Sequence, residues 1–446
     1  MTIWSPRLTQ SDGPIYVSIA DQLERDVADG LLVAGSRLPT HRDLARRLGV
    51  TVVTITRAYA EAAERGLVET AVGRGSFVRA PRRETTNAAR EIDLATNVVA
   101  APDRVLTKEL VQRLTAMLAT SYGAAGGSER HRAAGATWLA RTRRDAVAER
   151  VLVTAGAQQA MLAAIAAQTK PGDTLLTEAV TYHGIRAIAS LLHLKLEAVA
   201  IDRHGLLPDA LEQAARRRGT KVLYITPTLQ NPTGAVMPEK RRRELAAVID
   251  RLGIGLVEDD VYGFLAGDAP PPITSHVDGV FLTGCGKSLV PALRVGWLLA
   301  PDALLARIQS VLAATTLFPS PLGAEVAASW IEDGTADRIV AEKRHGITTR
   351  NRLARRILGK DAGHAHEQSP HLWLELPRRW SADAFEDELR SRGVRVTGAR
   401  AFATGPEVPN AARICLGAPA TAGELETALH IITSALRGEE RVANVV

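Results

Sequence analysis

The chain has 446 residues, 46% of them hydrophobic and 23% charged, and a net charge of +6. That is long enough for two or three domains with cores of their own, and the balance excludes a disordered or fibrous chain. No apolar run reaches the roughly 18 residues of a membrane span and no N-terminal signal peptide is visible; two cysteines, Cys285 and Cys415, are too few for a disulfide framework, so a cytoplasmic setting with no membrane partner is expected.

The charge is unevenly placed. Residues 37–83 hold ten arginines against four acids, whereas residues 1–36 hold two arginines against five acids. A local basic stretch suits a phosphate-backbone partner, although charge runs are often no more than solvated faces.

Taken in chain order, the spacing predicts a first helix over 14–29, with Ile15, Ile19, Leu23 and Val27 on one face. Thr40, followed three residues later by Asp43, marks the start of a short second helix over 41–48, closed by Gly49. A third helix runs from Thr51 to about Arg65, with Gly66 as its stop. The segments 67–72 and 76–78, joined through Gly73-Arg74-Gly75, read as a small hairpin. This order is that of a winged helix-turn-helix over residues 1–80, whose third helix is built to enter a DNA major groove.

Residues 81–91 are polar, without apolar period, and read as a linker. From 92 to 446, short apolar strands alternate with Ala- and Leu-rich helices. The strands expected are 151–154, 174–177, 196–201, 222–226, 254–258, 280–283 and 295–299, which implies an α/β domain with a largely parallel sheet. Strands at 372–376, 394–397 and 413–416 suit a smaller α+β subdomain, mainly from about residue 330.

The chemistry lies at the ends of those strands. Asn231 stands in Asn-Pro-Thr-Gly, Asp259 and Tyr262 in Glu-Asp-Asp-Val-Tyr, and Lys287 in Thr-Gly-Cys-Gly-Lys-Ser, with Arg294 seven residues on. An amide, a carboxylate, a phenol, a lysine and an arginine in that order are the parts needed to hold pyridoxal 5'-phosphate. The lysine amine forms a Schiff base with the aldehyde, and an acid at the pyridine nitrogen keeps the ring an electron sink. Gly286-Lys287-Ser288 also suggests a nucleotide P-loop, but that pattern needs glycine five residues before Gly286, where Phe281 stands.

The combination resembles the MocR group of GntR-type regulators, a winged helix-turn-helix fused to a fold-type I aminotransferase-like domain. The N-terminal resemblance rests on Ser36 to Ala45, Thr56-Arg57-Ala58-Tyr59, Glu64-Arg65-Gly66-Leu67 and Gly73 to Val78; the C-terminal one rests on the motifs around Asn231, Tyr262, Lys287 and Arg413. It implies Lys287 as the Schiff-base lysine, Asp259 at the pyridine nitrogen, and Tyr262 and Asn231 at the ring hydroxyl. It further implies Ala157, Gln158 and Arg294 at the phosphate, Tyr182 stacked on the ring, and Arg413 gripping an α-carboxylate. Tyr122 matches the residue that reaches the partner subunit's phosphate, which implies a homodimer. Arg42, Thr54, Arg57 and Arg74 are the expected contacts to double-stranded DNA.

Two departures stand out. Gly284 and Gly286 replace the hydroxyl residues usual before the lysine, leaving Thr283 as the available substitute, and Thr51-Val52 replaces the usual Ser-Arg at the start of the third helix. The function expected is a transcriptional regulator that senses the cofactor, or an amino compound reacting with it. The alternative is a working aminotransferase acting on an amino acid and a 2-oxo acid.

Overall fold

The computed structural model describes residues 4, 6, 14–28, 32, 36, 38–64, 67–71, 75–78, 91–98, 108–117, 122–142, 145–218 and 222–438. Arg74 and most of the expected linker, residues 81–90, lie outside them. The chain divides into two compact units, Met1–Arg90 and Glu91–Val446.

In the first unit, α1 (Ile15–Ala28) and α3 (Val52–Glu64) pack against each other, with the shorter α2 (His41–Leu48) on α3. Thr40 caps α2, its hydroxyl accepting the Asp43 N–H at 3.2 Å, and Gly49 ends the helix at φ 67°, a left-handed turn that suits glycine. Ile19, Leu23, Leu44, Ile55, Ala58 and Tyr59 close one core. The Tyr59 hydroxyl reaches the Pro39 carbonyl at 2.9 Å, satisfying the one polar atom of that buried ring. Strands β1 (Val68–Ala71) and β2 (Gly75–Val78) pair antiparallel, and Val78 N–H bonds the Ser36 carbonyl at 2.9 Å, which ties the hairpin to the segment before α2.

The second unit is built on seven strands: β3 (Val151–Thr154), β4 (Thr174–Glu178), β5 (Lys195–Val199), β6 (Val222–Ile225), β7 (Gly255–Asp259), β8 (Val280–Gly284) and β9 (Gly296–Leu299). Their order across the sheet is β3-β9-β8-β7-β6-β4-β5. All neighbours run parallel except β9, which is antiparallel to both β8 and β3. Six of the strands are buried almost throughout, as a sheet covered on both faces by helices requires. Helix α4 (Ala157–Ala166) follows β3 directly. The strand expected over 196–201 divides: Lys195–Val199 stays in the sheet, while Ile201–Asp202 pairs with Gly205–Leu206 in a separate ribbon that turns at Arg203-His204 and returns through Gly205, φ 103°.

The long helix α5 (Thr335–Leu358) leads into a smaller three-stranded antiparallel sheet. Its strands are β10 (His371–Glu375), β11 (Thr397–Gly398) and β12 (Ala411–Cys415), with β12 in the middle. The start of the unit joins this layer. Ile92–Asp93 pairs parallel with Val394–Arg395, and Leu94 is buried with Leu372, Phe385 and Ile414. The expected strand over 394–397 is thereby shared between two partners, its first half on residues 92–93 and its second on β12.

Candidate functional site

In the second unit the carboxyl ends of the central strands open on a cavity of about 510 Å3. Such a strand-end crevice is where open α/β sheets bind ligands. Asn231, Asp259, Tyr262, Lys287, Arg294, Tyr182, Ala157, Gln158 and Arg413 all line it. Tyr122 does not; its ring is 84% exposed and packs edge-on against Phe318 at 6.0 Å.

Lys287 sits in a single helical turn, Cys285–Ser288, directly after β8. Its ammonium donates to the Asn97 carbonyl, and burial together with Arg413 holds its pKa below the ordinary lysine range. Lys343, from α5, donates to the Lys287 carbonyl at 3.0 Å and is itself pushed down to about 8 by burial and by Lys287.

Asp259 is the last residue of β7. Oδ2 accepts the Tyr224 hydroxyl at 2.7 Å and Oδ1 accepts the Val261 N–H at 3.1 Å. Burial pushes the carboxyl up to about 6, with Tyr224 and Val261 pulling the other way. Glu258 and Asp260 beside it do other work. Glu258 accepts from Ile273 and Thr274 away from the cavity, and Asp260 is buried with its carboxyl pushed well up by desolvation and by Glu258.

Arg413 comes from β12, across from β7. Nη1 donates to Asn231 Oδ1 at 2.9 Å and Nη2 to the Ala95 carbonyl at 2.6 Å, and the guanidinium lies 4.7 Å over the Phe402 ring. Its Nε is buried with no hydrogen-bond partner among the described residues. Tyr182 donates to Gln158 Oε1 at 3.2 Å and lies 4.7 Å from the His183 ring.

At the opposite end the N-terminus of α4 faces in. Gly156 occupies its cap at φ 87° with no side-chain hydrogen bond, so the first N–H groups of the helix lack a capping side chain. A Cβ at Gly156 would come within 3.4 Å of the Arg294 guanidinium, which places that charge over the helix start. A Cβ at Gly296 would lie 2.8 Å from the Gly156 carbonyl carbon, so glycine there lets the two backbones close.

Thr283 does not replace the hydroxyls missing at 284 and 286. It donates to the Asp260 carbonyl at 3.1 Å and lines a different cavity. The sequence reading also missed Tyr224, Asn97, His371 and His183. Asn97 Nδ2 bonds His371 Nδ1 at 3.0 Å and His371 Nε2 bonds the Gln230 carbonyl at 2.9 Å, while burial pushes His371 down to about 3 and so keeps it neutral. A tyrosine in the otherwise aliphatic run 222–225 was the available signal for Tyr224; residues 95–97 offered none.

In the first unit Arg42, Thr51, Val52, Val53 and Arg57 are exposed and Thr54 is half-buried, all on α2, α3 or the turn between them.

A family model for aminotransferase class I and II matches residues 89–432, and one for the gntR family of bacterial regulatory proteins matches residues 15–78. The chain belongs to the aminotransferase class I and II family. With its gntR-family domain it has the architecture of MocR-type regulators. The uncharacterized HTH-type transcriptional regulator YdeF of Bacillus subtilis is 29% identical over 96% of both chains. The aromatic-amino-acid aminotransferase 1 of Thermococcus litoralis is 26% identical over 69% of this chain and 78% of its own. Among solved structures, the kynurenine aminotransferase of Pyrococcus horikoshii superposes with a TM-score of 0.70 at 22% identity, covering 84% of this chain and 98% of the other. The aminotransferase fold of this MocR-type chain thus includes its small C-terminal sheet, and no described helix is long and apolar enough to cross a membrane.

Proposed function

We propose that the protein is a DNA-binding transcriptional regulator of the cytoplasm whose second unit binds pyridoxal 5'-phosphate and senses it, or an amino compound reacting with it, through Lys287. The observation that carries this reading is that one cavity joins the Lys287 amine, the buried Asp259 carboxylate and the uncapped α4 terminus beside Arg294, in a chain that also has a helix-turn-helix.

The donor set fits the cofactor. A glycine cradle that a Cβ would fill lies at the α4 start, an anion-binding arrangement in which Ala157 and Gln158 N–H groups and the Arg294 charge would receive the phosphate. Asp259 would hold the ring nitrogen, Tyr262 and Asn231 the ring hydroxyl, and Tyr182 a ring face. When bound, pyridoxal phosphate supplies an aldehyde that forms a Schiff base with an amine, and a ring that withdraws electrons from the attached carbon.

The chain's own groups do the rest. Burial lowers the proton affinity of Lys287, so Nζ reaches the nucleophilic amine form nearer neutral pH. Arg413, fixed by Asn231, Ala95 and Phe402, would take an α-carboxylate, and a displaced Lys287 Nζ can accept the proton from the ligand's α-carbon. Regulation needs only that the ligand bind two arrangements of the protein with different affinity. Exposed Tyr122 supports a homodimer in which it meets the partner's phosphate site. Arg42, Thr54, Arg57 and Arg74 are the proposed DNA contacts.

The alternative, an aminotransferase acting on an amino acid and a 2-oxo acid, draws on the presence of Lys287, Asp259 and Arg413 in one cavity. The test is fluorescence-anisotropy binding to DNA upstream of the protein's own gene, with and without pyridoxal phosphate, for wild type and Lys287→Ala. Specific binding that shifts with the cofactor, and shifts differently in the variant, is expected. Binding indifferent to cofactor in both proteins overturns the sensor, and sustained transamination without specific DNA binding selects the enzyme.

A further inference from the structure

Helix α3 opens on two exposed valines. Val52 is 43% and Val53 64% exposed, while Ile55, Ala58, Tyr59 and Ala62 of the same helix fill the core of the first unit. The valines add little to that core, and water is a poor neighbour for a β-branched apolar side chain.

The polar groups around them are already engaged. Thr51 Oγ1 caps α3, accepting the Thr54 N–H at 3.2 Å, and shares a 2.8 Å hydrogen bond with Thr54 Oγ1. Thr56 Oγ1 donates to the Val52 carbonyl at 3.0 Å. The first turn of α3 therefore presents apolar groups, with each of these hydroxyls given an internal partner. Exposed Arg42 and Arg47 on α2 and Arg57 on α3 offer charges suited to backbone phosphates, while Arg46 is paired with Asp43 at 2.8 Å.

We propose that Val52 and Val53 read thymine C5-methyl groups in the major groove. The N-terminal residues of the second helix of a helix-turn-helix are those that meet base edges. Those edges carry donors and acceptors and a single apolar group, the thymine methyl. A valine set against a guanine, adenine or cytosine edge would displace water from a donor or acceptor and return no hydrogen bond. Val53 and Arg57 stand four apart on one helical face, so the apolar contact and a guanidinium suited to guanine O6 and N7 fall side by side. The inference names the base readout within the DNA-binding reading above and rests on it.

The experiment uses the full chain. A bound sequence is first selected from randomised duplexes, and each thymine in it is then replaced singly by deoxyuridine, which removes only the C5 methyl. At one or two positions per half-site the affinity should fall roughly fourfold, the effect of withdrawing one buried methyl group. Val52→Ala and Val53→Ala, exposed positions whose truncation leaves the core intact, should bind the thymine duplex more weakly and lose the difference between thymine and deoxyuridine. Specific binding with no deoxyuridine effect at any position, or with an effect that survives in both variants, overturns the inference and leaves DNA binding standing. Failure to select any sequence removes the DNA-binding reading and the inference with it.

Discussion

Tyr224 donates its hydroxyl to Asp259 Oδ2 at 2.7 Å, from the strand next to the one that ends in Asp259. The bond favours the ionised carboxylate against a burial that pushes it up to about 6. In Tyr224→Phe the carboxyl should rise further, so that less of it is ionised at neutral pH to hold the protonated ring nitrogen proposed as its partner. A hydrogen bond to a charged group contributes about 1.5–3 kcal/mol, or roughly one to two pKa units, so the ionised fraction, and cofactor affinity with it, should fall roughly two- to fifteenfold at pH 7. The loss should shrink at pH 9, where the carboxyl ionises regardless. Absorbance titration with pyridoxal phosphate at the two pH values checks this, and equal affinities for wild type and variant at pH 7 would falsify it.

Glu178 makes a second, independent pH prediction. It ends β4, fully buried, with Oε2 accepting Thr181 and Thr226 hydroxyls at 2.9 Å each and Oε1 without a partner among the described residues. Burial raises its carboxyl from 4.5 to about 7. A raised folded-state pKa gives a stability contribution fully present below the unfolded value and lost as pH climbs through the folded one. Relative to Glu178→Gln, the wild type should therefore lose about 3 kcal/mol between pH 4.5 and 8. Buried His371, pushed down to about 3, works in the opposite sense as pH falls below 6.5 and is common to both proteins, so the difference between them isolates Glu178. Denaturation midpoints across that range should favour the variant increasingly toward alkaline pH; parallel curves would count against a buried titrating carboxyl.

The motif residues were legible because each is carried by a short segment at a strand end. Asp259 closes β7, Lys287 follows β8 by a few residues, and Gly156 between β3 and α4 marks the helix start, so spacing along the chain already placed them. Asn97 and Tyr224 were not legible in this way. Their partners lie 190 and 35 residues away, and only the fold brings them together. The two-residue strand Ile92–Asp93 is too short to show any period, yet it carries Ala95 and Asn97 to Arg413 and Lys287. The apolar run of β9 revealed a strand but not its direction, because parallel and antiparallel buried strands share one pattern.

The glycines at 284 and 286 differ in what they permit. A Cβ at Gly284 would stand 3.2 Å from Ala157 Cβ and 3.3 Å from Ala157 N, so the α4 terminus would have to shift by a few tenths of an ångström. At Gly286 the nearest atom is Pro291 Cα at 3.9 Å, ordinary contact distance. Gly284→Ala should weaken cofactor binding several-fold by displacing the N–H groups proposed to receive the phosphate. Gly286→Ser should bind at least as well as wild type, since the hydroxyl adds a donor without crowding. Dissociation constants for pyridoxal phosphate in the two variants decide the matter, and equal losses in both would remove the steric explanation.

Arg57 is exposed on α3, three residues beyond Thr54 and on the same face. Truncation to alanine touches nothing in the core formed by Ile55, Ala58 and Tyr59, so the fold and its melting temperature should be unchanged. If Arg57 pairs bidentately with a base, Arg57→Ala should cost about 1–3 kcal/mol on the preferred sequence and relax the preference at one position. If it touches only phosphate, affinity should fall alike for every sequence and the salt dependence should flatten by about one ion. Anisotropy on preferred and scrambled duplexes at two salt concentrations separates the two, and unchanged binding on both duplexes removes Arg57 from the interface.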